Sequence, residues 1–560
     1  MKDTVATLLG EALKNVLAAR DADISAPEIQ VERTRDPAHG DLASNIALAT
    51  AKQLRMPPRE LAEALCRALP ENTAIARTEI AGPGFINFFL SKDSQGEVIR
   101  EVLRLGGSFG HNNCGEGRKV QVEFVSANPT GPLHVGHGRG AAVGDTLARI
   151  LEASGWDVTR EFYYNDAGAQ INNLALSVQA RCRGVTPDES GWPDDGYRGD
   201  YIVELAEAYL AGESVEASDK SVQAVGDADD LEAIRDFAVA WLRREQDLDL
   251  RSFGVGFDVF FLESALYESG EVESTVAKLV ESGNTYRQDD ALWLRTTAFG
   301  DDKDRVMQKK DGGYTYFLPD VAYHLNKWKR GFGRVINEQG ADHHSTVTRV
   351  RAGLQALGEG IPLGWPDYVL HQMVTVMREG QEVKLSKRAG SYLTLRDLIS
   401  EVGRDATRYF LVARSPNSQL TFDIDLAISQ SSDNPVFYIQ YAHARVCSVK
   451  RKLIENGLPS ELQADELPLA RLTEGQEAEL MKQLARFPEI VLRAGSNEEP
   501  QQIANYLREL AGEFHAYYNA HKVLVDDAEL RHARFALCSA VGQVLANGLD
   551  LLGVSAPESM

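Results

Sequence analysis

The sequence predicts an α/β protein: a parallel-sheet domain carrying an inserted subdomain, between a small α+β domain at the N-terminus and an all-α bundle at the C-terminus. Three observations predict this. An apolar strand pattern, KVQVEFVS, runs through a glycine- and proline-rich turn into the helical stretch AAVGDTLARILEASG and returns to the strand WDVTREFYY, which is the βαβ order of a parallel sheet. Before about residue 112 the pattern mixes helical periods with a strand. From about residue 430 onward nearly every window has helical periodicity.

In the first part, 1–112, apolar residues recur at Val5, Leu8, Leu9, Ala12, Leu13, Val16 and Leu17, one face of a helix. LASNIALATAKQL reads as a second helix capped by Asp41, PPRELAEALCRAL as a third, and AGPGFINFFL as a turn followed by a strand. Within the second part, 113–430, the segment from about 180 to 285 is more helical. It contains the acidic run 213–232, whose plainest reading is a solvated surface. This segment is expected to be an insertion, with the sheet resuming at ALWLRTT and GYTYFLPDVAYHLNKW and then at GRVINEQGADHH. The third part, 431–560, holds four helical stretches, with Gly457 and Gly553 placed as stops.

Bulk properties narrow the function. A chain of 560 residues exceeds one ordinary core, and 43% hydrophobic with 25% charged residues is a soluble globular composition. No apolar run is long enough to span a bilayer, and the acidic opening residues lack a cleavage site, so a cytoplasmic protein is expected. Cys66, Cys114, Cys182, Cys447 and Cys538 form no CxxC pair, which predicts reduced thiols and no zinc site. A net charge of −23 argues against a protein that coats nucleic acid, yet leaves a transient RNA partner open.

Two segments carry chemistry. In PTGPLHVGHGRG a strand ends and a helix begins, so backbone N–H groups and the positive helix terminus offer a phosphate site. Gly136, Gly138 and Gly140 permit close approach to the backbone, and His134 and His137 share one face of the first turn. A structural histidine pair is the alternative; a metal site lacks a nearby third ligand. Farther along, Lys384-Leu385-Ser386-Lys387-Arg388 puts two ammonium groups on a loop, able to neutralise a departing pyrophosphate. Taken alone, such a string is also a solvated basic turn.

His134-Val135-Gly136-His137 resembles the HIGH signature of class I aminoacyl-tRNA synthetases, and Lys384–Arg388 resembles their KMSKS-type loop, with Leu385 replacing methionine. The resemblance implies a Rossmann-like catalytic domain that binds ATP with its associated Mg²⁺. In that reading His134, His137, Lys384 and Lys387 are catalytic, and Gly136 and Ser386 also line the ATP site.

Further segments resemble the arginyl family. Val122–Asn128 is similar to the strand preceding its HIGH motif, which implies that Glu123, Ser126, Ala127 and Asn128 line the arginine site together with His137. Tyr314–His324 is similar to its arginine-specificity stretch, implying Tyr316 and Asp320, with Asp320 as partner of the guanidinium. A buried carboxylate without a partner is costly, which favours a functional Glu123; packing is the alternative for Tyr316. Gly340-Ala341-Asp342-His343-His344 also matches, although Ala341 stands where some relatives carry a substrate-binding glutamine, so that role is not transferred.

His39-Gly40-Asp41 and Gly82–Asn87 resemble the family's N-terminal domain, which touches the tRNA corner, and Asn434–Arg445 resembles the opening of its anticodon-binding bundle. This implies Tyr438, Gln440, Tyr441 and Arg445 as tRNA contacts; for both tyrosines the bundle core is the alternative. Lys450, Arg451 and Lys452 form a basic patch or a solvated helix face. The implied reaction activates arginine with ATP and transfers it to the terminal ribose of its tRNA, in a monomer without membrane association. A different class I synthetase and a non-catalytic tRNA-binding paralogue are the competing readings. Cysteinyl enzymes need zinc ligands, and a paralogue should have lost the histidines or lysines, all four of which are present.

Overall fold

Five parallel strands form the central sheet of the chain, in the spatial order Asp367–His371, Arg334–Gly340, Lys119–Glu123, Asp157–Tyr164, Val259–Leu262. Numbered along the chain this is the doubly wound order 5-4-1-2-3. The connections leave the first strand, Lys119–Glu123, in one direction and later return to its other side. Ligands of such sheets sit where the order reverses, beyond the carboxyl ends of the strands. Here that point lies between Lys119–Glu123 and Arg334–Gly340.

These observations come from a computed structural model that describes residues 1–20, 27–34, 36–383 and 393–560. The described residues divide into two compact units: 1–109 with 445–486 and 512–544, and 110–444 with 487–511 and 545–560. The second contains the parallel sheet.

In the first unit, four antiparallel strands in the order Val31–Arg33, Leu42–Ser44, Phe85–Leu90, Ile75–Ala81 pack with helices Lys2–Ala18, Ile46–Leu54 and Pro58–Ala68. Val5, Leu9, Leu13, Leu61, Leu65 and Phe88 form their core. Asp41 does not cap the second helix. Residues 42–44 are a strand, the helix starts at Ile46 without a side-chain cap, and the Asp41 carboxylate accepts from the Leu90 N–H at 2.9 Å. The alternation LAS suits a short strand as well as a helix, and pairing decided between them. AGPGFINFFL is the expected turn and strand.

The inserted region differs from expectation at both ends. The helical layer begins at Ala169–Cys182, before residue 180, and continues with Tyr201–Leu210 and Leu231–Ser252. Val259–Leu262, inside the predicted insertion, is an edge strand of the main sheet. Four apolar residues are too few for periodicity to separate strand from helix. Ala291–Leu294 belongs instead to a separate antiparallel sheet with Thr285–Gln288 and Arg305–Gln308. Phe317–Lys329, expected as sheet, is a helix with Pro319 in its first turn, where a missing N–H costs nothing. The acidic run forms a small hairpin, Ser214–Glu216 with Ser221–Gln223, mostly exposed.

Four long helices, Pro435–Glu455, Gly475–Ser496, Gln501–Ala520 and Ala528–Leu551, make up the C-terminal part. Gly457 and Gly553 follow the first and last of them with φ of +64° and +66°, a left-handed conformation that stops a helix. None of the five cysteines forms a disulfide. No helix among the described residues is long and apolar enough to cross a membrane.

Candidate active site

The histidine corner is built by local geometry. His134 is the N-cap of helix Val135–Ala153, and its Nδ1 accepts from the Gly136 N–H at 3.1 Å. His137 reaches back so that its Nδ1 accepts from the His134 N–H at 3.2 Å. The two rings stack with centroids 3.7 Å apart. This is a capping box made of imidazoles, so the histidines themselves satisfy two of the terminal N–H groups. Because each Nδ1 is an acceptor, the neutral ring carries its proton on Nε2. Capping thereby selects the tautomer that presents Nε2–H as a donor.

The glycines after His134 accommodate protein groups. A Cβ at Gly136 would lie 2.9 Å from the His134 ring, one at Gly138 2.9 Å from Leu395, and one at Gly140 2.6 Å from Glu338 Oε2. At Gly144 it would lie 2.2 Å from the Phe124 ring. Close approach is therefore used to seat the helix on the sheet. Arg139, fully buried, donates to the carbonyls of Gln372, Ser415 and Ser418 at 2.6, 3.0 and 2.9 Å. Glu338, at the end of its strand, meets His371 Nδ1 at 2.5 Å. Burial opposes the charged imidazole, but the Glu338 carboxylate outweighs it and raises the His371 pKa.

Thr394 forms an antiparallel backbone bridge with His134, and the Leu395 N–H donates to the Leu133 carbonyl at 2.8 Å. Lys384, Ser386 and Lys387 lie outside the described residues.

A second group of side chains gathers at the carboxyl end of strand Lys119–Glu123. Directly after it, Val125 and Ser126 adopt φ of +66° and +41°. A left-handed valine is strained, and such turns persist where the surroundings over-determine them. The turn aims Ser126 Oγ back at Glu123 Oε1, 2.8 Å away, where it also accepts from the Tyr163 N–H at 3.2 Å. Glu123 is only 3% exposed, and its other oxygen accepts from Lys327 Nζ at 2.5 Å. The buried carboxylate thus has a protein partner that sequence reasoning did not supply. Ala127 is buried, and Asn128 Nδ2 donates to Gln170 Oε1 at 2.8 Å.

Asp320 stands in the first turn of helix Phe317–Lys329. Among the described residues no hydrogen bond or ion pair holds its side chain. Burial, then the carboxylates of Glu263 and Glu123, push it up to about 7, against the opposing pull of Arg349 and Lys327. Burial also raises Glu263, which accepts from the Tyr163 hydroxyl at 2.7 Å. Three carboxylates thus share a neighbourhood with one internal ammonium, which is an environment short of a cation. Tyr316, at the N-cap of the same helix, is 74% exposed. Sequence reasoning missed Glu263, Tyr163 and Lys327. Lys327 carried no usable signal, since in the strand expected for this segment it and Asp320 would lie on opposite faces.

The expected tRNA-facing residues have mixed settings. Gln440 Nε2 donates to Asp405 Oδ2 at 3.0 Å and to the Ser555 carbonyl at 2.9 Å, so its amide ties elements of the chain together. Tyr441 is 37% exposed and stacks on Phe437. Tyr438 is partly buried. Arg445 donates to His515 Nδ1 at 3.1 Å and lies over the Tyr518 ring. Lys450, Arg451 and Lys452 are exposed.

Comparison with known proteins identifies the scaffold. Residues 3–90 match the arginyl tRNA synthetase N terminal domain, 99–423 the class I (R) tRNA synthetase catalytic domain, and 439–560 the DALR anticodon binding domain. Arginine–tRNA ligase of Geotalea uraniireducens is 59% identical, with all of both chains covered. Arginine–tRNA ligase of Burkholderia orbicola is 54% identical over all of this chain and 99% of its own. The structure of Thermus thermophilus arginyl-tRNA synthetase superposes over the full length of both chains with a TM-score of 0.73 at 24% identity, a likeness of fold. The full-length relatives and the catalytic-domain match agree: the chain belongs to the arginyl-tRNA synthetase family of class I.

Proposed function

We propose that arginine–tRNA ligation by this chain is divided between two neighbouring sites at the reversal point of the sheet. The histidine corner handles the phosphates of ATP, and the carboxylate cluster selects arginine. The arginine carboxylate attacks the α-phosphate and pyrophosphate leaves, giving arginyl-adenylate. The 2′-hydroxyl of the terminal tRNA ribose then attacks the activated carbonyl, forming the ester as the mixed anhydride breaks and AMP leaves. His134 and His137, with Gly136 between them, donate Nε2–H to the phosphates, while Lys384 and Lys387, with Ser386, neutralise the leaving group. The backbone bridge between His134 and Thr394, a short way along the chain from Arg388, supports the two motifs meeting at one nucleotide. Mg²⁺ enters on the phosphates of ATP; among the described residues no group of three or more His, Cys, Asp or Glu side chains is arranged to hold a metal ion.

The observation that carries the arginine reading is Asp320, a carboxylate unpaired among the described residues and raised first by burial and then by two neighbouring acids. A bound guanidinium relieves that repulsion with a planar, bidentate set of donors. Glu123, Ser126, Ala127, Asn128 and His137 complete the walls, and Tyr316 covers the entrance. Tyr438, Gln440, Tyr441 and Arg445 serve the tRNA, Gln440 by holding its helix in place. The division into 1–112, 113–430 and 431–560 assigns these roles to a tRNA-contacting, a catalytic and an anticodon-binding part. The enzyme acts as a cytoplasmic monomer without membrane association.

ATP–pyrophosphate exchange with each amino acid, with and without tRNA, tests the reading. Exchange is expected with arginine and with no other amino acid. Exchange with another amino acid and none with arginine would overturn it.

A further inference from the structure

We propose that Lys327 is a positioning residue for arginine selection. Its ammonium holds Glu123 directly and, through Asn337 and His324, holds the backbone that carries Asp320, so that the two carboxylates meet the substrate at a set separation. This inference rests on the arginine-pocket reading above.

Lys327 is fully buried, and its three donors have three partners. Nζ donates to Glu123 Oε2 at 2.5 Å and to Asn337 Oδ1 at 2.8 Å, and it lies 4.3 Å from the centre of the Tyr323 ring, within cation–π range. A buried ammonium is tolerated only with such complete pairing. From Asn337 the chain of bonds continues: its Nδ2 lies 2.8 Å from His324 Nε2, and His324 Nδ1 lies 2.7 Å from the Asp320 carbonyl oxygen. One tautomer satisfies both contacts, with Nδ1–H donating to the carbonyl and Nε2 accepting from the amide. The ring must be neutral for this, and burial, followed by the Lys327 charge, pushes His324 down to about 3.

Each contact along the path from Glu123 through Lys327, Asn337 and His324 to the Asp320 carbonyl therefore pairs a donor with an acceptor. The helix is fixed at a second point on the same face. Tyr323 donates to Glu161 Oε1 at 2.6 Å, and Arg330 donates to both oxygens of that fully buried carboxylate at 2.7 and 2.9 Å. With Glu161 anchoring the helix, Lys327 is left to set the position of Glu123 relative to Asp320. It also keeps Glu123 occupied by a cation before substrate arrives, leaving Asp320 as the carboxylate with unmet demand.

The test compares Lys327→Met, Glu123→Gln, the double variant E123Q/K327M and Asp320→Asn. For Lys327→Met the expected result is a rise of about 30-fold or more in the arginine KM, as for loss of one partner of a buried pair, with the ATP KM within about 2-fold of the parent. The arginine KM of E123Q/K327M should match that of Glu123→Gln within about 3-fold, because the lysine acts through the glutamate. Additive losses, equal changes in both KM values, or an unchanged arginine KM in Lys327→Met would each overturn the proposal. If Lys327→Met does not fold, the charge-neutral pair measured against Glu123→Gln decides by the same criterion. Asp320→Asn separates the two levels. An unaffected arginine KM there refutes the pocket reading, whereas a raised one with Lys327→Met unaffected refutes only the role of the lysine.

Discussion

The histidine corner and the carboxylate cluster, proposed above to bind phosphate and arginine, lie at the same end of one sheet but are made by opposite means. The corner is local. Two imidazoles three positions apart cap their own helix, accept from their own backbone and are tautomerically fixed within four residues. The pocket is long-range. Glu123, Glu263, Asp320 and Lys327 come from a strand, two helices and widely separated parts of the chain, and among the described residues only the Lys327–Glu123 contact ties two of them directly. A corner that caps its own helix suits a partner shared by many enzymes, the triphosphate. The cluster, on the proposed reading, uses buried charge to tell one side chain from another, and buried charge responds strongly to any change in its partners.

Removing the pocket's unpaired carboxylate should separate the two regions most sharply. Asp320→Asn is expected to lower kcat/KM for arginine about 1000-fold, roughly 4 kcal/mol for loss of a charged partner, while the ATP KM stays near its parent value. Equal losses for both substrates would contradict the proposed division into two sites.

The corner is probed by His134→Asn, which keeps an N-cap acceptor but removes the Nε2 donor. Pyrophosphate exchange should fall about 100-fold without a matching loss of thermal stability, the size expected for one donor to a developing charge. A variant that loses stability and keeps its exchange rate would make the histidine a cap and nothing more.

Gly144→Ala addresses the seat of that helix. The added carbon would lie 2.2 Å from the Phe124 ring, so a loss of about 2 kcal/mol in folding stability is expected by chemical denaturation. A neutral result would place the ring elsewhere.

The smallest effect is the pH dependence of the arginine KM. With Asp320 raised to about 7, a bound guanidinium favours the ionised form, so binding releases a proton below that pH. The arginine KM should therefore fall as pH rises from 6 to 8, by at most about tenfold per unit, and lose this dependence in Asp320→Asn. The sign for folding is opposite. A carboxyl raised above its unfolded value stabilises the fold when protonated, and that contribution disappears as pH rises through about 7.

The same contrast decides what could be read from sequence. Local signals served well: helix Lys2–Ala18 covers the apolar repeat from Val5 to Leu17, strand Asp157–Tyr164 follows WDVTREFYY, and the glycine stops stand where they were expected. Signals that depend on remote partners did not. Val259–Leu262 is too short to reveal itself without its neighbour in the sheet, and Phe317–Lys329 has a strand-like composition that helical packing overrides. Asp41 shows the limit of capping rules, since a competing strand can claim the residue first. At the site, Glu123 drew attention as a charge inside an apolar strand, but its buried counter-ion sits on an element more than two hundred positions away. No local pattern announces such a pair. The lysine segment 384–388 lies outside the described residues.

The central claim is that one sheet end holds two separate recognition sites, one for phosphate and one for guanidinium. A crystal structure with arginine and a non-hydrolysable ATP analogue, bound together with tRNA, tests it directly. The guanidinium should lie within hydrogen-bonding distance of the Asp320 carboxylate while the phosphates meet Nε2 of His134 and His137. A guanidinium paired elsewhere, or a triphosphate lying away from the histidine corner, would contradict the account.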